Sequence, residues 1–199
     1  MSKVLFRFSI CAMVTGLLSI AAAQQGGAMG QSGSSSASSA NSGLSPADQK
    51  FVKEAAEGGM AEVELGQLAV QKASSNDVKK FGQRMVDDHT KANDKLKELA
   101  SSKGISLPQS PSAKDEATKA RLEKLSGEQF DKAYMKDMVK DHKEDVAAFQ
   151  KESNSGKDSA VKSFASETLP TLQDHLKSAE TIEPKVMQAS NAGSSGMQH

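Results

Sequence analysis

The chain has 199 residues, of which apolar types make up 37% and the aromatic types only 4%. Its 25 basic and 25 acidic residues give a formal net charge of zero, which excludes the strongly basic surface that nucleic-acid binding requires. Strong helix formers dominate the composition, whereas β-branched and aromatic residues are scarce, so we expect an all-helical protein.

The N-terminal segment, 1–23, has the order of a secretory signal peptide. Lys3 and Arg7 precede an apolar run over 10–20, and the small residues Ala21–Ala23 follow it. This order predicts cleavage after Ala23 and export to the periplasm or outer envelope. The alternative is an uncleaved membrane anchor, although the apolar run is short for a membrane span. Cys11, the only cysteine, lies within this segment, so the mature chain would form no disulfide.

Three further segments follow the predicted signal. Residues 24–44 consist mainly of Gln, Gly, Ser and Ala and have little to bury, which predicts a disordered tether. Residues 45–183 carry long periodic patterns of apolar residues and are predicted to form one domain. Residues 184–199 are predicted to form a flexible tail.

Caps and breakers divide the central segment into helices. Ser45 and Pro46 are typical of a helix start, Ser126 opens a capping-box pattern, and Pro184 is expected to end the last helix after a kink at Pro170. Two short turns and one long connection predict two helical hairpins joined by a crossover, that is, a four-helix bundle. The predicted helices are A, 46–73; B, 78–101; a short extra helix, 115–125; C, 127–152; and D, 158–182.

Three histidines occupy positions on the apolar faces of different helices. His89 lies four residues after Met85 on helix B, His142 lies four after Met138 on helix C, and His175 is in phase on helix D. Helix A places Glu62 at the equivalent position. Burying such groups is costly unless each finds a partner.

Two interpretations account for these four residues. They bind one transition-metal ion, iron, zinc or copper, or they form a hydrogen-bonded polar layer. Depth along the helices places Glu62, His89 and His142 at one level. His175 is expected about seven residues, or roughly 10 Å, from His142, with Glu167 nearer the level of the others.

Other residues near these faces suggest further roles. An aspartate precedes each histidine, and an aspartate that accepts a hydrogen bond from the ring N–H would orient a ligating imidazole. The alternative is that these aspartates are solvent-exposed residues beside the apolar face. Methionines at helical spacing raise the alternative of haem ligation, although such residues usually fill a core. The aspartates are Asp88, Asp141 and Asp174, and the methionines are Met60, Met85, Met135 and Met138.

Several strings resemble an uncharacterised family of exported bacterial domains. They are 61–69 (AEVELGQLA), 85–89 (MVDDH), the Asp141-His142 pair, and Leu169-Pro170 followed by His175. Members of that family are commonly labelled predicted outer-membrane proteins and grouped with ferritin-like bundles. The resemblance implies a ferritin-like fold and an envelope location, but no established activity. Di-iron ferritins carry Glu-x-x-His motifs, whereas the positions three before these histidines hold Val86, Val139 and Leu172.

Two functions therefore remain open. One is a metal-binding envelope protein for storage, buffering or stress protection. The other is a non-enzymatic structural or interaction module whose buried histidines form a polar layer. A nucleophile-bearing Gly-x-Ser-x-Gly motif is missing, so the sequence favours a protein without enzymatic activity. We expect no transmembrane helix in the mature chain and a peripheral association with the envelope, and the sequence does not indicate the oligomeric state.

Overall fold

The computed structural model describes residues 43–194 of the chain, with side chains described up to residue 188. The described part holds five helices and their connections. The predicted signal peptide and nearly all of the predicted tether lie outside the described residues. The helices are α1 (Pro46–Lys72), α2 (Asn76–Ser102), α3 (Ala113–Leu122), α4 (Gly127–Ser155) and α5 (Ser159–Ser194).

Local sequence signals explain where two of these helices begin. The hydroxyl of Ser45 accepts a hydrogen bond from the backbone N–H of Asp48 at 3.1 Å, and Pro46 takes the first helical position of α1. Ser112 accepts in the same way from the N–H of Asp115 at 3.3 Å and begins α3. Each cap pairs a backbone donor that the helix itself leaves unpaired.

The helices form two hairpins that pack face to face. α1 packs mainly against α2, and α4 packs mainly against α5, as the two short turns predict. The hairpins meet through α1 with α4 and α2 with α5, whereas α3 lies against α1 and α4. The prediction of an all-helical bundle with a short extra helix in a long crossover is confirmed.

One contact between α1 and α2 is unusually close. A Cβ built on Gly66 would lie 2.6 Å from the backbone oxygen of Gly82, and one on Gly82 would lie 2.7 Å from the Cβ of Ala69. The absence of side chains at both glycines therefore lets the two backbones approach.

The apolar core has two parts. The upper cluster lies at the end of the bundle that carries the α1–α2 turn, and it includes Leu65, Phe81, Tyr134, Met138 and Val186. The lower cluster lies at the end that carries the α4–α5 turn, and it includes Phe51, Leu96, Phe149, Phe164 and Leu172. Each helix of the two hairpins contributes residues to both clusters. On each of these helices, the residues between the two clusters therefore lie at the middle of the bundle.

Two predicted boundaries need correction. Helix α5 continues through Pro184 to Ser194 instead of ending near residue 182, so residues 184–194 are not part of a non-helical tail. A proline removes one helical hydrogen bond, but Val186 beyond it is buried in the upper cluster, and this packing favours continuation. Leu44, assigned to the tether, is 6% exposed and packs in the lower cluster.

A buried histidine cluster as the candidate metal site

A polar layer separates the two apolar clusters. Glu62 on α1, His89 on α2, His142 on α4 and His175 on α5 are all buried. On each helix the residue lies between the segment that joins the upper cluster and the segment that joins the lower one. The helical periodicity that buries the core thus also buries these four polar side chains.

The three imidazoles lie against one another. One ring nitrogen from each histidine can be chosen such that all three atoms lie within 4.8 Å of one another. The ring centroids of His142 and His175 are 5.3 Å apart, those of His89 and His175 are 5.4 Å apart, and those of His89 and His142 are 5.9 Å apart. We call His89, His142 and His175 the histidine cluster.

Hydrogen bonds outside the cluster fix the orientation of two rings. The Nδ1 of His142 lies 3.0 Å from the backbone oxygen of Met138, to which it can only donate. The Nε2 of His175 lies 3.0 Å from Oδ2 of Asp88 on α2, and the ionised carboxylate accepts that proton. These contacts leave the lone pairs on Nε2 of His142 and Nδ1 of His175.

Those two nitrogens, and Nε2 of His89, are buried and have no hydrogen-bond partner among the described residues. Unpartnered buried polar atoms are rare in folded proteins and each needs a physical explanation. Three of them here belong to adjacent side chains of one residue type. Neutral ring nitrogens with this combination of burial and missing partners are available as metal ligands.

Burial keeps the imidazoles neutral at physiological pH. It lowers the pKa of His89 to about 3, with the neighbouring imidazoles of the cluster adding to the shift. Burial also lowers the pKa of His175 to about 4, although the hydrogen bond to Asp88 opposes the shift. The pKa of His142 is lowered by burial as well. A neutral imidazole carries the lone pair that a metal ion requires.

Glu62 lies at the edge of the histidine cluster. Its Oε1 is 3.9 Å from Nδ1 of His142, and its Oε2 is buried without a partner among the described residues. Burial, helped by the carboxylates of Asp141, Asp115 and Asp137, raises the pKa of Glu62 to about 8. The metal-free protein therefore holds this side chain largely as the neutral acid at pH 7.

The structure corrects the expected level of His175. The prediction that it lies at a different level from His142 is wrong, because the two rings are 5.3 Å apart. Helices α4 and α5 join at a short turn, and His142 on α4 and His175 on α5 lie at nearly the same distance from that turn. The remaining offset corresponds to only about 4–5 Å along a helix. Glu167, the suggested substitute, is exposed and pairs with Lys95 at 3.6 Å.

The three aspartates that precede the histidines differ in their surroundings. Asp88 on α2 accepts the hydrogen bond from His175 on the neighbouring helix α5. Its Oδ2 also lies 3.3 Å from Nε of Arg84. Asp174 is exposed and lies 3.9 Å from Nη2 of the same arginine, which in turn contacts Asp88. Asp141 is half-buried and lines a cleft together with Glu62. Among the described residues, no histidine donates a hydrogen bond to it.

Asp145 is a residue that the sequence reasoning missed. It follows Asp141 by four residues and His142 by three, so it lies on the same side of α4 as both. Burial and the nearby Glu62 raise its pKa to about 7. The spacing was visible in the sequence, but only the packing of α1 against α4 brings this carboxyl to Glu62.

The methionine side chains lie outside the histidine cluster. Met85, Met135 and Met138 are fully buried in the upper cluster, where they fill the core. Met60 lines a separate cleft between α1 and α2. Their placement gives no support to haem ligation.

Three imidazole nitrogens on three helices form a suitable set of ligands for one transition-metal ion. Three nitrogens bound tetrahedrally at 2.0–2.1 Å are about 3.3 Å apart. Since the cluster nitrogens already lie within 4.8 Å of one another, side-chain movements of about 1 Å would bring them to that spacing. Such a set leaves one coordination position open to a further ligand.

Comparison with known proteins supports the fold and identifies the family. A crystal structure of a DUF305 fragment from Deinococcus radiodurans is similar to this chain with a TM-score of 0.63 and 15% identity. The similarity covers 71% of this chain and 98% of the fragment, and at this identity it shows the fold alone. No protein with a curated function matches the chain.

Within residues 43–194, no helix combines the length and the apolar character needed to cross a bilayer.

The sequence pattern of a family described as a domain of unknown function, DUF4142, matches residues 33–182, about three quarters of the chain. The chain belongs to the DUF4142 family.

Proposed function

We propose that this domain binds one transition-metal ion through His89, His142 and His175. The observation that carries the proposal is a cluster of three buried histidines in which one ring nitrogen from each lies within 4.8 Å of the others. Each of the three rings also has a buried nitrogen without a hydrogen-bond partner among the described residues. A metal ion would satisfy all three at once. His142 and His175 cannot satisfy each other, because the opposite nitrogen of each neutral ring already donates to Met138 or Asp88.

The surroundings of the histidines also suit a metal site. Ligating histidines usually donate their other ring N–H to a carbonyl or carboxylate, which orients the ring and raises its basicity. Met138 and Asp88 accept such hydrogen bonds from His142 and His175. Imidazole ligands suit zinc, copper and iron, and three of them leave a position for an exchangeable ligand. An exchangeable position allows the ion to be bound and released, and storage or buffering of a metal ion is the role that we propose for this site.

We also propose a cellular location for this domain. The segment with Lys3, Arg7 and the run over 10–20 is typical of a secretory signal. With export, the domain would bind metal in the periplasm or outer envelope, where it would limit the concentration of free, reactive ions. Fractionation of cells that produce the full chain, with an immunoblot of each fraction, tests this part.

The competing function is a structural or interaction module with a polar layer in its core. The hydrogen bond between His175 and Asp88, at 3.0 Å, is the observation that favours it, because such a bond can specify how two helices pair. This alternative predicts that histidine substitution changes stability but not metal content.

Equilibrium dialysis of the full chain distinguishes the two. The protein is dialysed at pH 7.5 against zinc, copper(II) or cobalt(II), and bound metal is measured by elemental analysis. Wild type should bind one ion per chain, and His89→Gln, His142→Gln and His175→Gln should each lower the affinity by at least about tenfold. His199→Gln, which changes the fourth histidine of the chain, serves as the matched control and should bind like wild type. Background metal in wild type at saturating concentration would refute metal binding.

A further inference from the structure

An acidic cleft lies beside the histidine cluster. It has a volume of about 350 Å³ and is bordered by α1, α2, α4, α5 and the start of α3. One lysine, Lys114, is among its lining residues, and its amine lies 3.3 Å from Glu144. The carboxylates that line it are Glu54, Glu57, Glu62, Asp115, Asp141, Glu144 and Asp145.

The exposure of these carboxylates changes along the cleft. Glu54 and Glu144 are exposed, Asp141 and Asp145 are half-buried, and Glu62 is 4% exposed. The carboxylates thus extend from solvent to the interior of the bundle. In such a low-dielectric cleft, charges of one sign focus the field and concentrate the oppositely charged ion.

The buried end of the cleft reaches the metal ligands at one point. His89 lines the cleft, whereas His142 and His175 are not among its lining residues. His89 is 7% exposed. Both Nε2 of His89 and Oε2 of Glu62 are buried and lack a hydrogen-bond partner among the described residues. Two residues that line the cleft, Glu62 and His89, therefore each carry a buried polar atom without a hydrogen-bond partner among the described residues.

We propose that this cleft is the route by which a hydrated divalent metal cation reaches the histidine cluster, with Glu62 and Asp145 holding the ion before it binds His89. This inference rests on the proposed function. In their ionised forms, Glu62 and Asp145 can bind a hydrated cation through oxygen, and the softer imidazole nitrogens then displace water from a transition-metal ion. Glu62 and Asp145 therefore act on the rate of loading, and the three histidines determine the final affinity.

Stopped-flow mixing of the full chain with Co²⁺ at pH 8.5 tests this role, because this pH lies above the pKa values of Glu62, about 8, and Asp145, about 7, so both carboxyls are largely ionised. Co²⁺ bound by histidines absorbs visible light and thus reports loading. The test variant is Glu62→Gln/Asp145→Asn, which removes two carboxylates from the cleft. The matched control is Glu98→Gln/Glu128→Gln, which removes two carboxylates outside the cleft. Release is measured by displacing bound Co²⁺ with excess zinc, and circular dichroism checks that both variants are folded.

We expect the cleft variant to load Co²⁺ at least about tenfold more slowly than wild type. Its release should slow by a similar factor, so that one ion still binds with nearly unchanged affinity. The wild-type loading rate should also fall with added salt more steeply than that of the cleft variant, because salt screens the charges of the cleft. The control variant should resemble wild type in each measurement.

Three results would overturn the inference, and they are distinguishable. If the cleft variant both loads and releases Co²⁺ at the wild-type rates, the ion takes another route. An unchanged loading rate with faster release would make Glu62 or Asp145 a ligand of the bound ion rather than part of a route. If wild type shows no Co²⁺ signal at any concentration, the proposed function itself fails, and this inference fails with it.

Discussion

Replacement of the buried Glu62 by glutamine should change how the stability of the metal-free protein depends on pH. The pKa of this carboxyl is about 8 in the folded protein, against 4.5 for an ordinary glutamate, mainly because of burial. Between these values the folded state keeps the proton and the unfolded state loses it. Wild type is therefore destabilised as pH rises through this range, whereas the Glu62→Gln variant, with a neutral amide at this position, is not.

The magnitude follows from the proton difference. One proton bound only in the folded state contributes about 1.4 kcal/mol per pH unit. Between pH 5 and pH 7.5, the stability of Glu62→Gln relative to wild type should rise by about 3 kcal/mol. The histidine contributions cancel in this difference, because the cluster stays neutral in both folded proteins over this range.

Urea unfolding in the presence of a chelator, followed by circular dichroism at several pH values, measures this difference. Glu98→Gln is the control, because that side chain is exposed, and its stability relative to wild type should not vary with pH. A flat difference for Glu62→Gln between pH 5 and pH 7.5 would refute the reasoning, because it would mean that Glu62 titrates as an ordinary surface carboxyl.

Three further predictions concern metal binding and packing. Metal affinity, measured by chelator competition, should change by less than about tenfold between pH 7.5 and pH 5.5, because the histidines of the cluster are neutral over this range. A tenfold loss of affinity per pH unit would contradict the lowered pKa values of the histidines. Asp88→Asn should weaken metal binding by about 10- to 100-fold, because it removes the carboxylate that orients His175, and equal affinity in dialysis would argue against this role. Gly66→Ala should destabilise the fold by about 1–3 kcal/mol in urea unfolding, since its Cβ would lie 2.6 Å from the backbone oxygen of Gly82. Gly58→Ala, where nothing lies within 4 Å, should instead stabilise α1 by about 0.5–1 kcal/mol, and similar effects of the two substitutions would contradict the close helix approach.

Local signals in the sequence were sufficient to predict most of the fold. The cap at Ser45, the proline at position 46 and the repeating apolar positions act within a few residues, so they can be read without tertiary information. The same periodicity placed the histidines on buried faces. The end of α5 could not be predicted in this way, because Val186 favours the helix only through contacts with other helices.

The composition of the candidate site required the structure. The relative level of His142 and His175 depends on where α4 ends and α5 begins, and an error of a few residues moves a side chain by several ångströms. The acidic cleft was not foreseen, because its carboxylates come from α1, α3 and α4 and meet only through packing. The bond from His175 to Asp88, on another helix, likewise had no signal in the local sequence.

The most direct test of the central claim is the location of the metal ion. Crystals of the zinc-loaded protein would be measured above and below the zinc absorption edge. We expect one anomalous peak per chain in the core, about 2.0–2.1 Å from Nε2 of His89, Nε2 of His142 and Nδ1 of His175. A peak only at surface carboxylates or at His199, with none between the three helices, would contradict it.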